Sequence, residues 1–116
     1  LNLKVLEMLE SIRSVDDDVV ILLQSDHGPG AYLDHAYPSR TRVRERFPIL
    51  NAYHVPGADS SLFYPRITPV NSFRRIFSHV FGTDSSTLPD RSYISSWKEP
   101  TRLIDVTDSL RNDDLF

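Results

Sequence analysis

The chain of 116 residues contains no cysteine. That excludes disulfides, thiolate zinc sites and cysteine nucleophiles. No apolar run approaches the length of a membrane span, and the first residues do not form a signal peptide. Basic charge is in deficit: 13 Lys and Arg against 16 Asp and Glu give a net charge of −3. No long-range field therefore draws the chain toward nucleic acid. No internal repeat is present. The apolar and charged fractions, 40% and 25%, are those of an ordinary globular protein with a real core. The chain opens at Leu1 directly in a helical pattern and reads as a piece of a longer protein.

The most informative stretch is Val19-Val20-Ile21-Leu22-Leu23-Gln24-Ser25-Asp26-His27-Gly28. Five apolar residues in succession predict a strand buried on both faces, as in a parallel sheet covered by helices. In such sheets the ligand crevice lies beyond the carboxyl ends of the strands, where Asp26 and His27 fall. Gly28 and Gly30 are expected to let the backbone turn sharply there. A carboxylate and an imidazole suit a divalent cation. The carboxylate takes Mg, Mn, Ca or Zn, and the imidazole favours Zn or Mn over Ca. Neighbouring side chains on an extended strand point to opposite faces, so the two share an ion only if the chain bends between them. On spacing alone a second reading stands: a carboxylate capping a nearby loop with a histidine bonded to it.

The rest of the pattern is helix, then strand, then loop. Val5, Leu6, Leu9 and Ile12 predict one apolar face on a helix over 2–14. Asp16-Asp17-Asp18 reads as a solvated acidic turn. Ser39 is a candidate cap for a short helix through Arg46, and Pro48 precedes a second strand over 49–55, closed by Pro56-Gly57. Thr68-Pro69 is a strong helix start. Phe73, Ile76, Phe77, Val80 and Phe81 take up helical spacing, predict a core-facing stripe, and stop at Gly82. Residues 83–100 have loop composition. A short strand is expected over 103–106, with a polar tail from Asn112.

Other candidates are weaker. His35 and His54 are conceivable further metal ligands, but each also reads as an ordinary polar residue. Arg40, Arg42, Arg44 and Arg46 alternate. On an extended chain they form one phosphate- or sulfate-binding edge; on a helix they spread around the axis. Ser25 and Thr68 have no partner arrangement that identifies a nucleophile.

Ser25-Asp26-His27-Gly28 after a hydrophobic strand resembles the metal-binding motif of the alkaline phosphatase and sulfatase superfamily. The segment from Arg44 to Tyr53 resembles the stretch downstream of this motif in bacterial membrane-associated sulfatase-like proteins. So do Ile67-Thr68-Pro69-Val70-Asn71-Ser72-Phe73-Arg74, Phe81-Gly82 and Leu88-Pro89-Asp90-Arg91-Ser92-Tyr93. The resemblance spans roughly 15–108. It implies a mostly parallel alkaline-phosphatase-like α/β fold, of which 1–116 is the C-terminal part as one unit. It implies a divalent metal held by Asp26 and His27, and a phosphate or sulfate ester as substrate. The remainder of the catalytic domain, with its nucleophile, would come from outside this segment. The parent would be membrane-anchored with its catalytic domain outside the cytoplasm. The rival expectation is a non-catalytic α/β interaction module, with Phe63, Tyr64, Tyr93 and Trp97 as a partner surface.

Overall fold

A computed structural model describes residues 2–111. The elements are α1 (Asn2–Val15), β1 (Ile21–Gln24), α2 (Val43–Arg46), β2 (Asn51–His54), α3 (Pro69–Phe81), β3 (Tyr93–Ile94), β4 (Ile104–Asp105) and α4 (Thr107–Arg111), with 3-10 turns at Pro38–Arg40 and Ser60–Leu62. The expected polar tail from Asn112 lies outside the described residues.

The sheet expectation is corrected. β1 pairs antiparallel with β2, Ile21 opposite His54 and Gln24 opposite Asn51. β3 pairs antiparallel with β4 in a separate two-stranded sheet. The described residues contain no parallel pair. A parallel return needs a long crossover, usually a helix packed on the sheet. The connection from Ser25 to Leu50 holds only a 3-10 turn and the four-residue α2, so the chain folds back beside the strand it has just left. Nor is β1 buried on both faces; each of its residues is half-buried, consistent with a strand that has one partner.

The helices predicted over 2–14 and from Thr68-Pro69 to Gly82 form, but much of each apolar face remains uncovered. No residue of α1 is buried, and Leu6 and Ile12 of its apolar face are exposed. In α3, Phe73, Phe77, Val80 and Phe81 are exposed, against the expectation of a core-facing stripe; of that stripe only Ile76 is buried. At 100° per residue, the buried trio Asn71, Ser72 and Ile76 lies nearly opposite the aromatic stripe. The helix turns its polar side inward. Gly82 does stop it, in the left-handed conformation that favours glycine (φ 62°).

The apolar core is therefore small: Ile76 and Val106 are its buried hydrophobic side chains among the described residues, beside buried Thr41, Asn71 and Ser72. The radius of gyration, 17.0 Å, exceeds the roughly 13 to 14 Å expected for a compact domain of this length.

Candidate metal site and its supports

Three features place Asp26 and His27. The carboxyl end of β1 is tied to the chain after α2: the Ser25 amide donates to the Leu50 carbonyl at 3.0 Å, and the Leu50 amide donates to Ser25 Oγ at 3.0 Å. The backbone then bends at Asp26. Beyond the bend, the Gly28 amide donates to the Arg46 carbonyl at 2.7 Å. A methyl group at Gly28 would lie 2.3 Å from the Glu45 carbonyl oxygen and 2.5 Å from that of Pro48. Glycine is thus required at 28 for close approach. Neither Gly28 nor Gly30 takes a positive φ; among the described residues the positive-φ glycines are Gly57 and Gly82.

The bend brings the two side chains to one place. Asp26 Oδ2 lies 3.4 Å from His27 Nε2, with Asp26 open to solvent and His27 about half-exposed. Two ligands at ~2.1 Å from a tetrahedral ion are themselves ~3.4 Å apart, so the pair spans the bite of such an ion. His27 Nδ1 sits 2.8 Å from the Gly28 carbonyl oxygen, the kind of contact by which a metal-ligating histidine fixes its ring. These two residues fit a divalent metal. A third ligand is not at hand: the described residues contain no group of three His, Cys, Asp or Glu side chains able to hold an ion. His35 packs its ring against Trp97 at a tilt of 42° (centroids 4.4 Å apart), and His54 Nε2 faces the Asp17 carbonyl oxygen at 3.3 Å.

The alternating arginines do not form one edge. Arg40 lies over Tyr37 and Arg42 over Tyr32. Arg44 donates to the Ser109 carbonyl at 3.0 Å. Arg46 alone joins the site. Its Nη1 is 2.6 Å from His27 Nδ1 and donates to the Gly28 carbonyl at 3.1 Å. The single helix expected from Ser39 to Arg46 is broken at buried Thr41, whose Oγ1 accepts from the Asp34 amide at 3.0 Å. That break lets Arg46 face His27 while Arg40 and Arg42 stack elsewhere.

A second polar cluster supports the first. Asp90 Oδ1 accepts from the Thr68 amide (2.8 Å), Thr68 Oγ1 (2.6 Å) and Asn71 Nδ2 (2.8 Å); its Oδ2 accepts from the Tyr64 hydroxyl (2.6 Å). Thr68 is the N-cap residue of α3, but its hydroxyl serves Asp90 and makes no cap bond. Asn71 also donates to the Leu88 carbonyl and accepts from the Leu88 amide. From α3 the network continues through Ser72 Oγ and the Tyr53 hydroxyl to Asn51 and then Gln24. The end of β1, and so Asp26, is anchored to α3 through hydrogen bonds. Sequence reasoning missed this cluster, because its members are scattered over residues 24–90 with no common spacing.

Burial works to raise the Asp90 carboxyl, but the donors from Thr68, Tyr64 and Asn71 outweigh it and hold it at about 2, against an ordinary 3.8. A carboxylate whose folded pKa is depressed stabilises the fold above its unfolded value and loses that contribution as pH falls toward the folded one. Stability is accordingly expected to drop between about pH 4 and pH 2. In Asp90→Asn this part of the drop should be gone; an Asp90→Asn variant with the acid limb of wild type would contradict the assignment.

Comparison with protein-family models, with curated proteins and with solved structures finds no significant match.

Proposed function

We propose that this chain is part of a metal-dependent hydrolase or transferase acting on phosphate or sulfate esters, with Asp26 and His27 as two ligands of a divalent ion. The observation that carries the reading is the 3.4 Å Asp26 Oδ2–His27 Nε2 pair at a bend immediately after a strand. Asp26 contributes the charged oxygen and His27 the nitrogen. When bound, such an ion supplies Lewis-acid stabilisation of charge on a non-bridging ester oxygen. The remaining ligands and the nucleophile are supplied by the rest of the catalytic domain. Membrane anchoring of the parent and an extracytoplasmic active site belong to the same proposal. The described helices contain no span able to cross a membrane.

The test is made on the intact protein. Asp26→Ala and His27→Ala are each expected to remove bound metal and reduce ester hydrolysis to background. Both side chains lie beyond the apolar body of β1 and are open to solvent, so thermal stability without metal should stay close to wild type. Wild-type metal content and rate in Asp26→Ala would sink the proposal. The solvent-facing stripe of Phe73, Phe77 and Phe81 favours the second reading, an interaction module. That reading gains if both alanine variants leave the protein's activity intact.

A further inference from the structure

We infer that the apolar stripe of α3 is the joint between this chain and the rest of its catalytic domain, which meets the stripe with an apolar face edged by carboxylates. This rests on the reading above that the chain is part of a larger catalytic domain.

Val70, Phe73, Phe77, Val80 and Phe81 lie within an arc of about 100° on α3, and all five are exposed. The three rings form a continuous ladder, with centroids 6.0 Å apart from Phe73 to Phe77 and 5.9 Å apart from Phe77 to Phe81. The chain as a whole exposes 8856 Å², about 2,400 Å² more than a compact monomer of its mass. A standard interface takes about 800 Å² from each partner, and only large obligate interfaces take as much as this excess. The missing cover is therefore a permanent neighbour, not a passing one.

Charge argues against a second copy in that role. α3 carries Arg74, Arg75 and His79 and no Asp or Glu, so two α3 helices set face to face bring basic groups together. The apolar arc of α1 (Val5, Met8, Leu9, Ile12 and Val15) is bordered by Lys4 and Arg13, with Glu7 and Glu10 on the far side. Laying α1 of one copy on α3 of another sets like charges side by side again. Arg74 stands at the edge of the α3 stripe, beside Phe81 round the helix. Its Nε donates to the Ser86 carbonyl at 2.6 Å, and among the described residues no carboxylate lies in ion-pair range of it. The Nη1–Nη2 edge of a guanidinium takes a carboxylate through two parallel hydrogen bonds, which is the contact the neighbour's edge supplies.

Val70→Cys and Val80→Cys put a thiol at either end of the stripe with little change of volume. Each is made in the intact protein, its fold checked by circular dichroism. Labelling by a charged, water-soluble maleimide is followed by mass spectrometry on the peptide that holds the thiol. Both thiols are expected to react at least about tenfold more slowly in the native protein than in urea. Adding Arg74→Glu to Val70→Cys should speed labelling about three- to tenfold, and Arg74→Lys should leave it slow. Native labelling as fast as in urea overturns the joint and leaves the stripe to a separate partner. Protection lost on dilution from micromolar to nanomolar protein assigns the cover to a second copy and overturns it too. Protection unmoved by Arg74→Glu overturns the carboxylate edge. Neither metal nor turnover enters the readout, so a failure here is distinct from retention of metal by Asp26→Ala.

Discussion

Asn71→Asp is expected to cost about 3 to 5 kcal/mol of folding stability, although the two side chains are nearly the same size. Asn71 is fully buried near the start of α3. Its Nδ2 donates to the Leu88 carbonyl at 2.7 Å and to Asp90 Oδ1 at 2.8 Å. The replacement puts an oxygen where both partners need a donor. It also sets a second carboxylate against Asp90, which is already ionised at neutral pH. Two anions at hydrogen-bond distance in a buried position cannot both keep their charge without penalty. Urea denaturation at pH 7 measures the loss, and part of it should return near pH 4 as the new carboxyl takes up a proton. Asn71→Ala, which removes the donor without adding charge, should cost less. A loss below about 1 kcal/mol for Asn71→Asp would mean that the network does not hold α3 to the 83–90 loop.

Gly28→Ala is the second large effect. The added methyl would meet the carbonyl oxygens of Glu45 at 2.3 Å and Pro48 at 2.5 Å. These are backbone atoms on both sides of the α2 exit, so the 26–28 and 45–48 segments must separate. Overpacking of this kind costs about 1 to 3 kcal/mol. The same separation breaks the Gly28–Arg46 backbone bond and shifts the Gly28 carbonyl that lies against the His27 ring, so under the metal-site proposal zinc affinity should fall along with stability. Gly30→Ala is the matched comparison. Its methyl would meet only the Arg46 side chain, at 3.5 Å, and its φ is not left-handed. That change should be neutral or stabilise by a few tenths of a kcal/mol. Equal effects at 28 and 30 would remove the close-approach argument.

The features legible in the sequence are those that local chemistry decides. The α3 start at Thr68-Pro69 and its stop at Gly82 are backbone signals and hold wherever the helix packs. The Asp26–His27 pair at the end of an apolar strand is equally visible, and the bend needed to bring the two together is present. Direction of pairing is not visible. Apolarity of Val19 to Leu23 says that the strand prefers burial, not which neighbour buries it or from which side. The length and content of the connection from Ser25 to Leu50 carry that information. The facing of α3 is hidden for another reason. Periodicity locates an apolar stripe, and here the partners of Asn71 and Ser72, strung across Tyr53, Leu88 and Asp90, turn the opposite side inward. The placement of Arg46 on His27 depends on a break at Thr41 that no propensity marks.

The polar character of that junction bears on how the chain responds to temperature. The heat-capacity change of unfolding rises with apolar surface newly wetted and falls with polar surface. Among the described residues two hydrophobic side chains are buried beside an asparagine, a serine and a threonine, while the large aromatics of α3 already face water. Unfolding thus hydrates little that is oily. The increment per residue should lie below the roughly 12 to 15 cal/mol/K of ordinary domains. A small increment reduces the curvature of stability against temperature, so the temperature of cold denaturation should lie unusually far below that of melting.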